Sequence, residues 1–230
     1  MTTRDHSPRR ALATPPRWHA DWLSVVALAQ TLSALAPQLR GKRMLDIGCG
    51  NKPYRAFFPH AQLYIGVDIA QSNAANEIVS LTDDLPFAAN TFDCAICTQV
   101  LEHVAEPARL LAEAFRTLTP NGVLLLAAPM YWPHHEEPYD FFRYTRYGLE
   151  YLVTNAGFEI LQMQQQGGAW LLTGQALANT LQGITRRRTF GLRALSLLTI
   201  NAFFHWLDRI NYQSQDTCNF VVLARKIAER

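Results

Sequence analysis

Two acids, each at the end of a short apolar run, are the residues of this chain best placed to do chemistry, and glycines follow the first at once. Leu45–Gly50 reads LDIGCG, with Asp46 in the run and Gly48 and Gly50 in the turn after it. Glycine at these positions removes the Cβ atoms that would hold a bound molecule away, and it opens dihedrals closed to other residues. Leu63–Ile69, LYIGVDI, carries the second acid, Asp68, at the distance expected for the second strand of a βαβ unit. An acid there accepts both hydroxyls of a ribose. A third group of reactive side chains lies farther on. Pro129–Tyr147, PMYWPHHEEPYDFFRYTRY, gathers two histidines, three acids, two arginines and seven aromatics into nineteen residues.

A glycine-rich turn between strand and helix is weak evidence alone, and two acids at successive strand ends strengthen it. A nicotinamide site expects GxGxxG, whereas the position three after Gly50 is Pro53. Asp46 would also sit awkwardly beside a pyrophosphate. It suits a ligand carrying an ammonium and a sulfonium, held directly or through water.

These residues resemble the class I S-adenosylmethionine-dependent methyltransferases, and more narrowly the type-11 methyltransferase-like family. The resemblance runs from about Leu45 to Phe158 on five ordered motifs: LDIGCGNKPY, VDI, DDLPFAANTFD, CAICTQVLEHV and LTPNGVLLLAAP. It implies S-adenosylmethionine as cofactor, held by Asp46, Gly48, Gly50 and Asp68, with Thr98 and Gln99 after the fourth strand. Relatives commonly carry an Asp just ahead of LPF that meets the adenine amino group. Here Ser80, Leu81 and Thr82 fill that neighbourhood, which leaves Asp83 as the candidate. Lys52 stands where many members have a third glycine.

Strand and helix patterns alternate through this region. Strands are expected at Met44–Ile47, Leu63–Ile69, Glu77–Leu81, Cys94–Thr98, Val123–Ala128 and Phe158–Met163, and helices at Tyr54–Phe58, Ala108–Leu118 and Gly148–Ala156. Interleaving of this kind implies a mostly parallel α/β sheet with helices on both faces. In the resembling family, Asn219–Lys226 would complete a Rossmann-like seven-stranded sheet by pairing antiparallel. Trp18–Ala36 reads as an N-terminal helix ended by Pro37. Residues 1–17 read as a mobile arm without the apolar stretch of a secretory signal, and 18–230 as the domain, which points to a cytoplasmic chain.

Far more chain lies between Met163 and Cys218 than a hairpin needs. Ile160–Thr185 holds no charged side chain, and a second apolar stretch runs from Ala194 to Leu207 after Arg186, Arg187 and Arg188. About 167–213 therefore reads as a helical insert, too short or too interrupted to span a membrane. Three settings suit it: packing on the sheet edge, a homodimer contact, or peripheral attachment at the inner face of a membrane through Trp170, Phe203, Phe204 and Trp206.

For the reaction itself, in-line positioning suffices for methyl transfer, but a hydroxyl acceptor needs a base. His134 and His135 are the first candidates and His103, after Glu102 in LEHV, is the third. Tyr131, Asp140, Arg143 and Tyr144 fall on the substrate side, with an Asp140–Arg143 salt bridge shaping the loop as the alternative for that pair. HHEE suggests metal ligands, but such a cluster needs partners elsewhere in the chain and the sequence shows none, so no metal is expected. Cys94 and Cys97 spell CxxC within a strand, where odd separation points them to opposite faces. All four cysteines read as small core residues. A formal charge of +2 and a pI near 8.4 give no reason to expect a nucleic-acid binder. The acceptor expected is therefore a small molecule, glycan or lipid-linked intermediate. The alternative is an inactive cofactor-binding or scaffold protein whose insert docks a partner.

Overall fold

A computed structural model describes residues 15–69, 75–79, 84–184 and 190–227. Asp83, Arg186, Arg187, Arg188 and most of the N-terminal arm lie outside them.

Seven strands form one sheet: β1 (Arg43–Ile47), β2 (Leu63–Asp68), β3 (Glu77–Ile78), β4 (Phe92–Thr98), β5 (Leu118–Pro129), β6 (Phe158–Gln166) and β7 (Asn219–Lys226), in the order β3-β2-β1-β4-β5-β7-β6. All neighbours are parallel except β7, which pairs antiparallel with both β5 and β6. Edge strand β3 has only two residues, so six strands carry the layer. From β1 the chain builds outward to β2 and β3, then crosses back to lay β4 on the other flank. The crevice at the carboxyl ends of β1 and β4 is thus a topological switch point, where open α/β sheets bind ligands.

Apolar residues on successive positions feed both faces, as a doubly covered parallel sheet demands. Leu45, Ile47, Ala95, Cys97, Leu124 and Leu126 pack under helices α2 (Pro107–Thr117) and α3 (Arg146–Asn155) through Leu111, Ala114, Leu149 and Val153. Met44, Cys94, Ile96, Leu125, Val221 and Leu223 meet Leu28, Leu32 and Leu35 of α1 (Trp22–Leu35) on the other face. Cys94 and Cys97 do point to opposite faces, and all four cysteines are buried free thiols. Proline at the first position opens α2, and Thr145 caps α3 by accepting the Gly148 N–H at 3.1 Å.

The segment between β6 and β7 is a pair of helices, α4 (Ala169–Ile184) and α5 (Phe190–Ile210). Asp208 of α5 caps α4 by accepting the N–H groups of Gly168 and Leu171 at 3.1 Å. The polar interruptions of α4 are structural: buried Gln175 accepts the Ser24 N–H and donates to the Ala20 carbonyl and to Asn179. One side of the pair packs on α1 and the residues just before it, Leu171 meeting Trp22 and Leu23, and Ala178 and Leu197 meeting Ala20. Phe204 joins that contact, and Trp170 keeps its indole nitrogen buried, so both are partly buried. The outer side of α5 leaves Phe203 50% and Trp206 55% exposed, with Leu192, Leu195 and Ile210 along the same stripe. Among the described residues no helix is long and apolar enough to cross a membrane.

Three elements differ from expectation. Tyr54–Phe58 is a 3-10 turn at Arg55–Phe57, its aromatics stacking on one another and on Tyr64 rather than extending a helix. β5 begins at Leu118, so the TPNG stretch lies within the strand, where the register with β4 shifts between Phe92 and Cys94. β6 continues through Gln164–Gln166, because backbone pairing with β7 holds those polar residues in the ladder.

Candidate active site

The turn after β1 is built from backbone. Gly48 and Cys49 both donate to the Val67 carbonyl of β2, at 2.9 and 3.0 Å, which folds the chain back over the sheet edge. Gly48, Gly50 and Lys52 all take positive φ, of 67°, 48° and 54°. The two glycines serve different ends. A Cβ at Gly48 would overlap the Val100 Cγ2 beyond β4, so packing alone already requires glycine at this position. At Gly50 a Cβ would meet nothing within 4 Å, and that position opens to the crevice.

Asp68 ties this turn to β2. Its Oδ2 accepts the Gly50 N–H at 2.7 Å and its Oδ1 accepts the Ile69 N–H at 2.8 Å. These two bonds fix the carboxylate at the end of β2, against the glycine turn. Asp46 is buried, and its Oδ2 accepts the Tyr64 hydroxyl at 2.6 Å. Burial pushes its carboxyl up to about 7, against the pull of the Tyr64 hydrogen bond and of Lys52, while neighbouring Asp68 pushes the same way as burial. The carboxyl is therefore poised to ionise when a cation arrives. Lys52 occupies its non-glycine position by lying over Gly66, where a Cβ would stand 2.5 Å from its Cε, and it donates to Asn76 Oδ1 at 2.6 Å. Asn76 Oδ1 also accepts the Gly66 N–H at 2.9 Å, so Lys52 braces the first two strands and stays off the crevice floor.

Across the switch point, Thr98 ends β4 and Gln99 follows with φ 55°. Gln99 donates from Nε2 to Asn219 Oδ1 at 3.0 Å, and Asn219 donates to Ser24 Oγ at 3.2 Å. Gln99 is thereby fixed by β7 and α1.

The segment after β5 folds back over Leu101–His103, a single 3-10 turn. The Glu102 carbonyl accepts from the Phe141 and Phe142 N–H groups at 2.9 and 3.2 Å, and His103 Nδ1 donates to the Tyr139 carbonyl at 2.7 Å. Asp140 and Arg143 form a bidentate pair at 2.6 and 2.9 Å, and Arg143 also donates to the carbonyls of Trp132, Pro133 and Phe142. This is the loop-shaping salt bridge. It holds the Asp140 carboxyl far below the usual range, first through the Arg143 hydrogen bond. A cavity of about 310 Å³ opens here, lined by Trp132, His134, Asp140, Phe141, Phe142 and Arg143.

The two adjacent histidines part company. The His134 side chain is 89% exposed, with Nδ1 3.4 Å from Asp140 Oδ2, whereas that of His135 is 15% exposed, with Nδ1 3.6 Å from Asp140 Oδ1. His135 packs edge-on against His103 with ring centres 4.6 Å apart. Tyr144, expected on the substrate side, belongs to the core: it is buried and its hydroxyl donates to the Leu101 carbonyl at 2.8 Å. Tyr131 is half-buried and does not line the cavity, while Trp132, which the sequence did not single out, does. Tyr139, Phe141 and Phe142 are exposed. Sequence reasoning also missed the meeting of Glu102, His103 and His135. Each offers one ligand atom, and these atoms lie within 4.8 Å of one another. The signal was present only as two separate His-bearing motifs, LEHV and HHEE.

Residues 45–126 match the family model described as a methyltransferase domain of type 11. A curated relative, the ubiquinone biosynthesis O-methyltransferase of Psychrobacter arcticus, is 32% identical over 106 residues, which is 39% of this chain and 41% of that protein. The chain spans less than half the length of the curated relatives it matches. Among solved structures, the [4+2]-cyclase SpnF superposes with a TM-score of 0.57 at 22% identity, covering 90% of this chain and 83% of its own. The 1,6-didemethyltoxoflavin-N1-methyltransferase of Burkholderia thailandensis, crystallised with S-adenosylhomocysteine, gives 0.57 at 15% identity over 86% and 78%. At these identities the two structures speak for the fold alone.

Proposed function

We propose that this chain, which belongs to the type-11 family of class I S-adenosylmethionine-dependent methyltransferases, binds S-adenosylmethionine in the crevice between β1 and β4 and transfers its methyl group to a hydroxyl oxygen. The observation that carries this reading is the Asp46–Gly50–Asp68 arrangement: a hydroxyl-accepting carboxylate, an open glycine and a buried carboxyl suited to a cation, all at the switch point. Asp68 would hold the ribose hydroxyls, and Asp46 the ammonium of the methionine part. In the transfer the acceptor oxygen forms its bond to the methyl carbon, the S–CH3 electron pair returns to sulfur, and the hydroxyl proton leaves. The O-methyltransferase relative supports oxygen as the attacked atom.

The proton goes to the cluster under the aromatic segment. His135, packed between Asp140 and His103, is the better base, because the ring of His134 is 89% exposed and, among the described residues, only Asp140 is seen to approach it. We expect His135→Ala to lower kcat by about 10²–10⁴-fold with S-adenosylmethionine affinity unchanged, and His134→Ala to change kcat less than about threefold. Equal losses in both variants would remove the distinction.

The acceptor is amphiphilic. Gln166 at the end of β6 pairs with Asn219 of β7, which continues into the Asn219 and Pro129 pairing, so α4 and α5 leave and rejoin the sheet at the edge that carries the site. The exposed apolar stripe of α5 then offers a surface for the lipid part of a lipid-linked acceptor. Release of S-adenosylhomocysteine with lipid-linked hydroxylated acceptors, and not with their soluble headgroups, is the expected result. Tight S-adenosylmethionine binding without release for any acceptor would favour a binding protein instead.

Asp46 gives the binding step a pH dependence. Its carboxyl, raised to about 7 in the folded chain, is largely protonated below that pH, and a cationic ligand must drive the proton off. Affinity for S-adenosylmethionine should therefore rise as pH rises towards 7, by at most about tenfold per pH unit, and level off above it. The apo protein shows the opposite sign: a carboxyl whose folded value is raised contributes stability that is full below its unfolded value near 4 and is lost as pH climbs through 7. Calorimetric titration from pH 5.5 to 8.5 should give a flat profile for Asp46→Asn; a slope retained in that variant places the titrating group elsewhere.

A further inference from the structure

We propose that Glu102, His103 and His135 form a site for one divalent transition-metal ion of borderline softness, such as Zn2+. Nothing in the fold requires these side chains to meet. Glu102 and His103 sit on the turn after β4, His135 lies 32 positions on from His103, and the aromatic segment is stitched back over them by the hydrogen bonds from Phe141, Phe142 and His103. The Glu102 carboxylate is fully buried and its Oε1 stands 3.8 Å from His103 Nε2. Ligand atoms on a single zinc ion, each about 2.1 Å from it, lie about 3.4 Å apart at tetrahedral angles. A set already within 4.8 Å closes on an ion with side-chain adjustments alone.

The surroundings match what ligating imidazoles need. His103 donates Nδ1–H to the Tyr139 carbonyl, which fixes the tautomer that turns the Nε2 lone pair toward Glu102. His135 Nδ1 stands 3.6 Å from Asp140 Oδ1, longer than a hydrogen bond, so a carboxylate lies beside the ring, and Asp140 is itself held by Arg143. Two imidazoles and one carboxylate favour zinc-like ions over Mg2+, which takes oxygen ligands. Three protein ligands leave a fourth position open, as in catalytic rather than structural zinc sites. Asp140, 3.6 Å from His135, lines the 310 Å³ cavity, which brings that cavity to the neighbourhood of the cluster. Resting on the methyl-transfer reading, the ion would lower the acceptor hydroxyl's pKa so that its proton passes to water; the base role given to His135 above then belongs to the ion-free chain, and with the ion bound His135 is a ligand.

Isothermal titration of the tag-free chain, stripped with chelator, with Zn2+ and separately with Mg2+ tests the site without any turnover. One Zn2+ per chain with sub-micromolar Kd, no Mg2+ binding, and at least a hundredfold weaker Zn2+ binding in His135→Ala is the expected result. Co2+ loaded in place of zinc should give visible d–d bands that change in Glu102→Gln and His135→Ala. His135→Ala, with its partly exposed ring, is the variant least able to fail by misfolding, and a thermal melt checks it. Absence of saturable Zn2+ binding, or the same affinity in folded His135→Ala, overturns the site. Loss of turnover in His135→Ala without zinc binding would leave the histidine base standing and remove the ion. Zinc binding without methyl transfer would keep the ion and remove the reaction.

Discussion

Replacing Asp68 with alanine is expected to weaken S-adenosylmethionine binding by roughly 30- to 1000-fold, the equivalent of about 2–4 kcal/mol for two charge-assisted hydrogen bonds. The carboxylate already accepts the Gly50 and Ile69 N–H groups, so it is held in place before the ligand arrives and no ordering cost is left to be met on binding. The loss should be equal for S-adenosylmethionine and S-adenosylhomocysteine, since the ribose is common to both and the sulfonium is not involved. Asp68→Asn should fall between, because one carbonyl oxygen can still accept while the amide nitrogen cannot. Calorimetric titration of both ligands against each folded variant decides it. An Asp68→Ala chain that melts normally and binds with undiminished affinity would remove the ribose assignment.

The reasons some of this was legible in the sequence, and some was not, are physical. Strand ends could be read because β1, β4 and β5 run largely buried to their carboxyl ends and β2 is buried at Gly66 and Val67, with β2 stopping at Asp68, β4 at Thr98, β5 at Pro129 and β1 at the glycine turn after Ile47. The order of those runs with intervening helices implied the parallel sheet, and the antiparallel β7 followed from the family resemblance. Gln164–Gln166 gave no such signal, since the force that holds them in β6 is pairing with β7, a partner more than fifty residues away. Tyr54–Phe58 misled in the opposite direction: its aromatics suit a helix face but satisfy their packing against Tyr64 from a 3-10 turn.

Side-chain roles divided along the same line. Asp46 and Asp68 were legible because each is local to its strand end. Tyr144 was not, because its hydroxyl is claimed by Leu101, 43 positions earlier. The separation of His134 from His135 depends on which way one loop turns, and no periodicity records that. Trp170 and Phe204 looked like outward anchors for the same reason, since a helix that is apolar on most sides does not announce which side meets α1. The Glu102, His103 and His135 cluster needs both motifs and the fold between them.

Gly48 and Gly50, identical in the sequence motif, should fail in different ways when changed. At Gly48 two costs add: a non-glycine residue at φ 67°, about 1–2 kcal/mol, and a Cβ that overlaps Val100 Cγ2, about 1–3 kcal/mol of overpacking. Gly48→Val adds a branched side chain to both and should lower stability by about 2–5 kcal/mol, or roughly 4–20 °C in Tm for a domain of this size. Val100→Ala in a Gly48→Ala background should recover the overlap and not the strain, so roughly half of the Tm loss returns. At Gly50 only the backbone cost applies, because a Cβ there meets open space. Gly50→Ala should melt within a few degrees of the parent, yet it places a methyl group where the crevice receives its ligand, and affinity for S-adenosylmethionine should drop at least tenfold. Thermal unfolding and calorimetric titration on the same preparations separate the two. A Gly48→Ala chain with parental Tm would show that the turn yields to Val100 at no cost, and a Gly50→Ala chain with parental affinity would move the ligand away from the turn. The opposing pattern, stability lost at one glycine and binding lost at the other, follows because the first faces the protein and the second faces the cofactor.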